Sequence, residues 1–229
     1  MTSVANDAVS SHDNKYARFY FTYGSNMHLQ QMAERCEESI LYSKGRLKGY
    51  KWQINSRGGA NIVRGDQTDY VEGLIFIISS RDLDSLRKYE KISEGYFVER
   101  KIDVNIEKLS ISAFEGQRTT RVIEEMAIYR VTGDAERLLG SWKARLKMEE
   151  PLKKNTFENG VAFQSLVYLV PEYCENGKIR KEYVGRMESA IMDAEVLGVS
   201  KHYIETSLRP CILQDRQLST ADTLENWKS

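Results

Sequence analysis

The spacing of apolar and polar positions changes along this chain, and the changes mark out its elements. Residues 18–23 form an aromatic, β-favouring run, centred on Phe19-Tyr20-Phe21, that breaks abruptly into Gly24-Ser25-Asn26. A helical pattern follows over residues 28–35. Residues 43–55 are predicted as a second strand, followed by the turn Arg57-Gly58-Gly59 and a short strand over 60–64. Residues 71–78 are continuously apolar, as in a buried strand. Ser80-Arg81-Asp82 reads as a helix start, with Leu83, Leu86 and Tyr89 making its apolar stripe. Residues 96–106 alternate, Phe97, Ile102, Val104 and Ile106 being interrupted by Glu99, Lys101, Asp103 and Asn105. Residues 126–131 and 163–170 are predicted as strands, with an amphipathic helical pattern over 135–148 between them. A long helix is predicted over 181–197, stopped by Gly198 as its C-cap glycine. A short one over 201–208 is expected to end before Pro210. Strands dominate the middle and helices the end, which is an α+β arrangement rather than a repeating βαβ sheet.

Composition narrows the picture. The chain has 229 residues, with 33 basic and 33 acidic side chains, so its formal net charge is zero. Nucleic acid and anionic membrane surfaces reward a basic face, and neither is expected as the main partner. No apolar stretch reaches the ~18 residues of a transmembrane helix. The N-terminal stretch is polar and has no signal-peptide core. Cys36, Cys174 and Cys211 are far apart and odd in number, and His12, His28 and His202 have no metal-ligand spacing. A cytoplasmic protein without metal or cofactor is expected. Residues 1–15 and 214–229 are polar and non-periodic and read as tails around a single domain over 16–213.

Two stretches carry candidate chemistry. Tyr23-Gly24-Ser25-Asn26-Met27 follows a strand and precedes a helix. Glycine there permits close backbone approach, and the loop's N–H groups and the helix N-terminus could converge on a carboxylate or an oxyanion. A purely structural turn explains the same residues. The second stretch runs from Leu86 to Tyr96 and holds Glu90 and Glu94 between a helix and a strand. Near a helix C-terminus an acid is disfavoured as an anion, and shielding there would raise its pKa toward a value useful for proton transfer. Two solvated glutamates in a charged loop is the other reading. There is no Gly-x-Gly-x-x-Gly and no phosphate-loop Gly-Lys-Ser/Thr pair.

These segments together resemble the γ-glutamylcyclotransferase family. Tyr23-Gly24-Ser25-Asn26-Met27 resembles its signature loop, in the form of the branch acting on γ-glutamyl amino acids. Gly59-Ala60-Asn61-Ile62-Val63 and Val71-Glu72-Gly73-Leu74-Ile75-Phe76 resemble its next strands. Leu83 to Leu86, then Glu90, then Tyr96, resembles its catalytic segment, and residues 183–203 its closing helix. The family has Leu-Asp three residues before its glutamate and Glu-Gly at the site. Here Leu86 is followed by Arg87 and Glu90 by Lys91, while Glu94-Gly95 comes four residues later. Spacing to Tyr96 favours Glu90 as the catalytic acid, with Glu94 as runner-up.

The resemblance implies a mixed β-barrel flanked by helices. The chain departs from it in length: residues 109–162 read as an insertion that forms a lid, enlarges the pocket, or serves as a structural annex or an oligomer surface such as a homodimer contact. The resemblance also implies a cofactor-independent, lyase-type enzyme that converts a small γ-glutamyl substrate to 5-oxoproline and a free amine. Glu90 would be its general acid/base, and Tyr23, Gly24, Ser25, Asn26, Met27 and Tyr96 would face the substrate; Tyr168, placed on the late strand, reads either as a further substrate-facing hydroxyl or as a core aromatic. One alternative keeps this chemistry on a glutathione-derived conjugate of a sulfur-containing secondary-metabolite pathway, of the epidithiodioxopiperazine (gliotoxin) type. Another is a non-catalytic small-molecule-binding member of the fold.

Overall fold

The computed structural model describes residues 16–133 and 160–213. Among these residues, eight strands and five helices follow in order: β1 Tyr16–Thr22, α1 Leu29–Arg35, β2 Ile40–Lys48, β3 Tyr50–Ile54, β4 Ala60–Arg64, β5 Tyr70–Ser79, α2 Ser80–Tyr89, β6 Val98–Glu107, β7 Gln117–Arg118, α3 Thr119–Thr132, β8 Ala162–Leu169, α4 Lys181–Leu197 and α5, which opens at Lys201–Tyr203. The expected α+β class holds.

Five strands close on themselves in the order β5-β1-β8-β6-β2, with β2 returning to β5. Only β1 and β8 run parallel in this ring. Closure leaves no edge to cover. The continuous apolar run of β5 is explained by its place between β1 and β2, with Val71, Leu74, Ile75, Phe76 and Ile78 all fully buried. The ring's core continues into α1, α3 and α4 through Met32, Val122, Met187 and Leu197.

The structure corrects four expectations. The single strand over 43–55 is two strands in two sheets. Gly49, at φ 75°, lies in the left-handed region and turns the chain out of the barrel into the β3–β4 hairpin. Residues 126–131 are helical, as part of α3. Thr119, Val122 and Met126 are buried at spacings of three and four, so the helical period outweighs the β-favouring residues. The C-terminal helix does not stop before Pro210. It passes through a π turn at Ile204–Leu208 and stays helical to residue 213. A π turn is one way a helix accommodates the N–H that proline lacks.

The fourth correction concerns the N-terminus of α1. It is not aimed at a ligand, because the Leu29 N–H donates to Asp193 Oδ2 at 2.8 Å. The helix over 181–197 has its expected bounds, and Gly198 caps it at φ 99°. The predicted helix over 135–148 lies outside the described residues. Within the segment expected as an insertion, Ala113, Phe114, Val122 and Met126 are buried in the common core, and β7 pairs with β2.

Candidate active site

The site forms where β1 runs out and α2 ends, two points far apart in sequence that the barrel brings together. β1 delivers Tyr20 and then the loop that begins at Tyr23. The loop is a single 3-10 turn, Ser25–Met27, in which Ser25, Asn26 and Met27 are all buried. Gly24 is required by proximity rather than by its backbone angles. A Cβ there would lie 3.1 Å from the Ala60 Cβ and 3.1 Å from the Tyr183 hydroxyl. Trp52 on β3 donates its indole N–H to the Tyr23 carbonyl at 2.9 Å, and Tyr23 donates its hydroxyl to the Tyr168 carbonyl.

The other half comes from α2. Its start is a complete capping box between Ser79 and Asp82, and its last residue is followed by Glu90 in the C-cap position. The Glu90 side chain is 14% exposed and faces the loop. Asn26 Nδ2 lies 3.2 Å from Glu90 Oε1 and 2.8 Å from the Tyr20 hydroxyl. The amide is held that way round because Asn26 Oδ1 accepts from Gln31 and Arg35, both at 2.8 Å. Arg35 Nη1 is 3.7 Å from Glu90 Oε1. Arg186 on α4 completes the ring, donating to Gln31 Oε1 and to Ser25 Oγ, each at 2.8 Å.

The electrostatics follow from this burial. Removal from water pushes the Glu90 carboxyl above its ordinary value. Arg35, the Asn26 hydrogen bond and Arg186 pull it back only in part. Burial, and then the Glu90 charge, pushes the Tyr20 phenol up, so it stays protonated. Arg186 is pushed down by burial first and by the like charge of Arg35 second. The cluster holds two guanidinium groups against one carboxylate.

Of the two candidate acids, only Glu90 joins the loop. Glu94 is exposed and pairs with Lys91 at 3.5 Å. Tyr96 is 36% exposed, and its ring lies 3.8 Å beneath the Arg57 guanidinium, apart from Glu90's hydrogen bonds. Tyr168 is buried, packs its ring against Tyr20 and sends its hydroxyl 3.4 Å from Glu99 Oε2. Met27 is fully buried in the core. Sequence reasoning missed Tyr20, Gln31, Arg35, Tyr183 and Arg186. Gln31 and Arg35 are four apart on α1, and Tyr183 and Arg186 three apart on α4. Each pair therefore shares a helix face, but nothing local says which face meets the loop.

The class is an α+β barrel in which a strand-end loop meets a largely buried glutamate, Glu90, at the end of a helix. Residues 20–144 match the family model described as gamma-glutamyl cyclotransferase, AIG2-like. The chain belongs to that family. It is 26% identical over 98 residues to a bovine gamma-glutamylcyclotransferase, an alignment covering 39% of this chain and 52% of the relative, so the chain spans about half the length of the curated relative it matches. The fold is that of a solved gamma-glutamyl cyclotransferase, with a TM-score of 0.53 at 18% identity over 82% of this chain and 84% of that one. A crystal structure of an uncharacterized human protein gives the same TM-score, identity and coverage. Among the described residues, no helix is long and apolar enough to cross a membrane, and no cluster of three or more His, Cys, Asp or Glu could hold a metal ion.

Proposed function

We propose that this protein is a γ-glutamylcyclotransferase acting on γ-glutamyl amino acids, with Glu90 as its general acid/base. The observation that carries the reading is the hydrogen bond between Asn26 of the signature loop and Glu90, a largely buried carboxyl whose pKa is raised. The reaction is internal. The substrate's α-amine attacks its own γ-carbonyl carbon, a five-membered lactam closes, and the amide C–N bond breaks. The nucleophile is tethered, so holding the folded conformer is worth up to ~7–11 kcal/mol. Two protons leave the α-nitrogen and two reach the departing nitrogen. Glu90 carries them in turn and returns to its carboxylate form. A positioned acid/base of this kind contributes about 10²–10⁴-fold.

Within the loop, the Ser25 N–H is held by the Tyr183 hydroxyl and the Met27 N–H by the Gly24 carbonyl. The N–H groups of Gly24 and Asn26 are then the donors for the oxyanion of the tetrahedral intermediate. Arg35 and Arg186 supply the positive charge for the substrate's α-carboxylate. The test is release of 5-oxoproline, followed by mass spectrometry, from γ-glutamyl dipeptides, glutathione and a γ-glutamyl glutathione S-conjugate. Preferential release from the dipeptides, dependent on Glu90, is expected. No release from any of them by a folded protein would overturn the reading, and preference for the conjugate would move the substrate.

A further inference from the structure

The face of the barrel that carries Tyr20 and Tyr168 does not end at the catalytic glutamate. Successive residues of a strand point to opposite faces, so Arg18 and Tyr20 on β1 share a face. The register places Tyr20 beside Leu166 on β8, and pairs Leu166 with Lys101 and Tyr168 with Glu99 on β6. Gln164, two residues before Leu166, joins the same face. One stripe therefore runs from Tyr20 and Tyr168, which border the Glu90 site, to Arg18, Gln164 and Lys101. Two residues along a strand is a step of about 6.6 Å. Arg87 of α2, one turn before Glu90, roofs this stripe, and a cavity of about 400 Å³ opens between them.

Arg18, Arg87 and Lys101 line the cavity against one acid, Glu99, while Asp103, opposite Gln164 in the register, stands on the same face outside the lining. Arg87 grips Glu99 with two hydrogen bonds, at 2.9 and 3.0 Å, which holds the Glu99 carboxyl below its usual range and cancels that pair. Arg18 and Lys101 remain as cations, with the Gln164 amide as a neutral donor between them. Resting on the cyclotransferase reading, we propose that this cavity is the subsite for the leaving part of the substrate, and that it selects leaving amines bearing a free carboxylate. Arg18 and Lys101 receive that carboxylate, and the Leu166 side chain lies along the carbon chain leading to it. The γ-glutamyl half stays at Glu90, Asn26 and Arg186. The chain thus reads the two ends of its substrate with two separate sets of cations.

The experiment compares γ-glutamyl-alanine and γ-glutamyl-alanyl-glycine, each as free acid and as C-terminal amide, by the ratio of kcat/KM for acid over amide. Wild type is expected to prefer the acids by about tenfold or more, the size of one charge-assisted contact. Lys101→Met and Arg18→Gln should each bring that ratio toward one, and Lys101→Arg should restore it. Both side chains lie at the surface of the fold, and thermal melts check that the variants are folded. Turnover of acid and amide alike by wild type, or an unchanged ratio in the variants, overturns the subsite and leaves the cyclotransferase reading standing. If wild type releases no 5-oxoproline, that reading fails and calorimetric titration of the same acid and amide pairs decides the subsite. Tighter binding of the acids that both substitutions abolish supports it; equal binding, or none, overturns it.

Discussion

Asn26 Nδ2 and Glu90 Oε1 lie 3.2 Å apart although 64 positions separate the residues in sequence. That contact joins the end of β1 to the end of α2, and it makes Glu90 rather than Glu94 the acid that meets the Ser25–Met27 turn. Glu90→Gln is therefore expected to abolish 5-oxoproline release, while Glu94→Gln retains most of it, as read by mass spectrometry on folded proteins. Stability adds an independent check. Burial raises the Glu90 pKa, so its stabilising contribution is complete below the unfolded carboxylate pKa and is lost as pH rises through the folded one. Thermal melts of Glu90→Gln should gain on wild type between acid and neutral pH.

Arg35 lowers the Glu90 pKa, standing 3.7 Å from the carboxylate. Removing that charge leaves burial less opposed. Arg35→Met should move the acidic limb of the kcat profile to higher pH, because the base form must now be reached against a higher pKa. It should also raise KM if Arg35 meets the substrate's α-carboxylate. An acidic limb that stays in place or moves to lower pH would contradict the pairing.

Gly24 is a matter of space. In Gly24→Ala the added methyl presses on the Ala60 Cβ and on the Tyr183 hydroxyl, each 3.1 Å away, and Tyr183 in turn holds the Ser25 N–H. A shift of a few tenths of an ångström in the loop is expected, with kcat falling about tenfold or more. Stability should change by only about 1–3 kcal/mol. Urea denaturation beside steady-state kinetics separates the two effects.

Lys91, directly after Glu90, is the only non-glycine residue with positive φ among the described residues, at 49°. The left-handed region costs an L side chain about 1–2 kcal/mol, and glycine is the usual residue just past a helix end. Lys91→Gly should stabilise the protein by about 0.5–1 kcal/mol in urea denaturation, after the extra unfolded-state entropy of glycine is allowed for. Loss of stability would mean that the Lys91–Glu94 ion pair outweighs the backbone strain.

Much of this was legible before the fold. The run from Phe19 to Met27, the bounds of 181–197 with Gly198, and the apolar strand over 71–78 depend on neighbours within one element, where hydrophobic period and turn chemistry act directly. The signature loop and Glu90 were visible as residues for the same reason. The strand predicted over 126–131 went wrong because six apolar-rich residues do not distinguish β from helix. The spacing of Thr119, Val122 and Met126 does, once the longer window is read against a packed partner.

The sequence by itself determined which residues have chemistry to offer: a glycine-bearing loop after an aromatic strand, and an acid at a helix end disfavoured for charge. Tertiary structure decided which of them meet. Closing β1, β5, β2, β6 and β8 into one ring carries Glu90 to Asn26, removes most of the carboxyl's surface from water, and brings Arg35 and Arg186 in from two helices. It also lines Arg18, Gln164 and Lys101 along one barrel face through strand register alone. Burial and register are properties of pairs of segments remote in sequence. Local spacing, which extends only a few residues, has no means of expressing them.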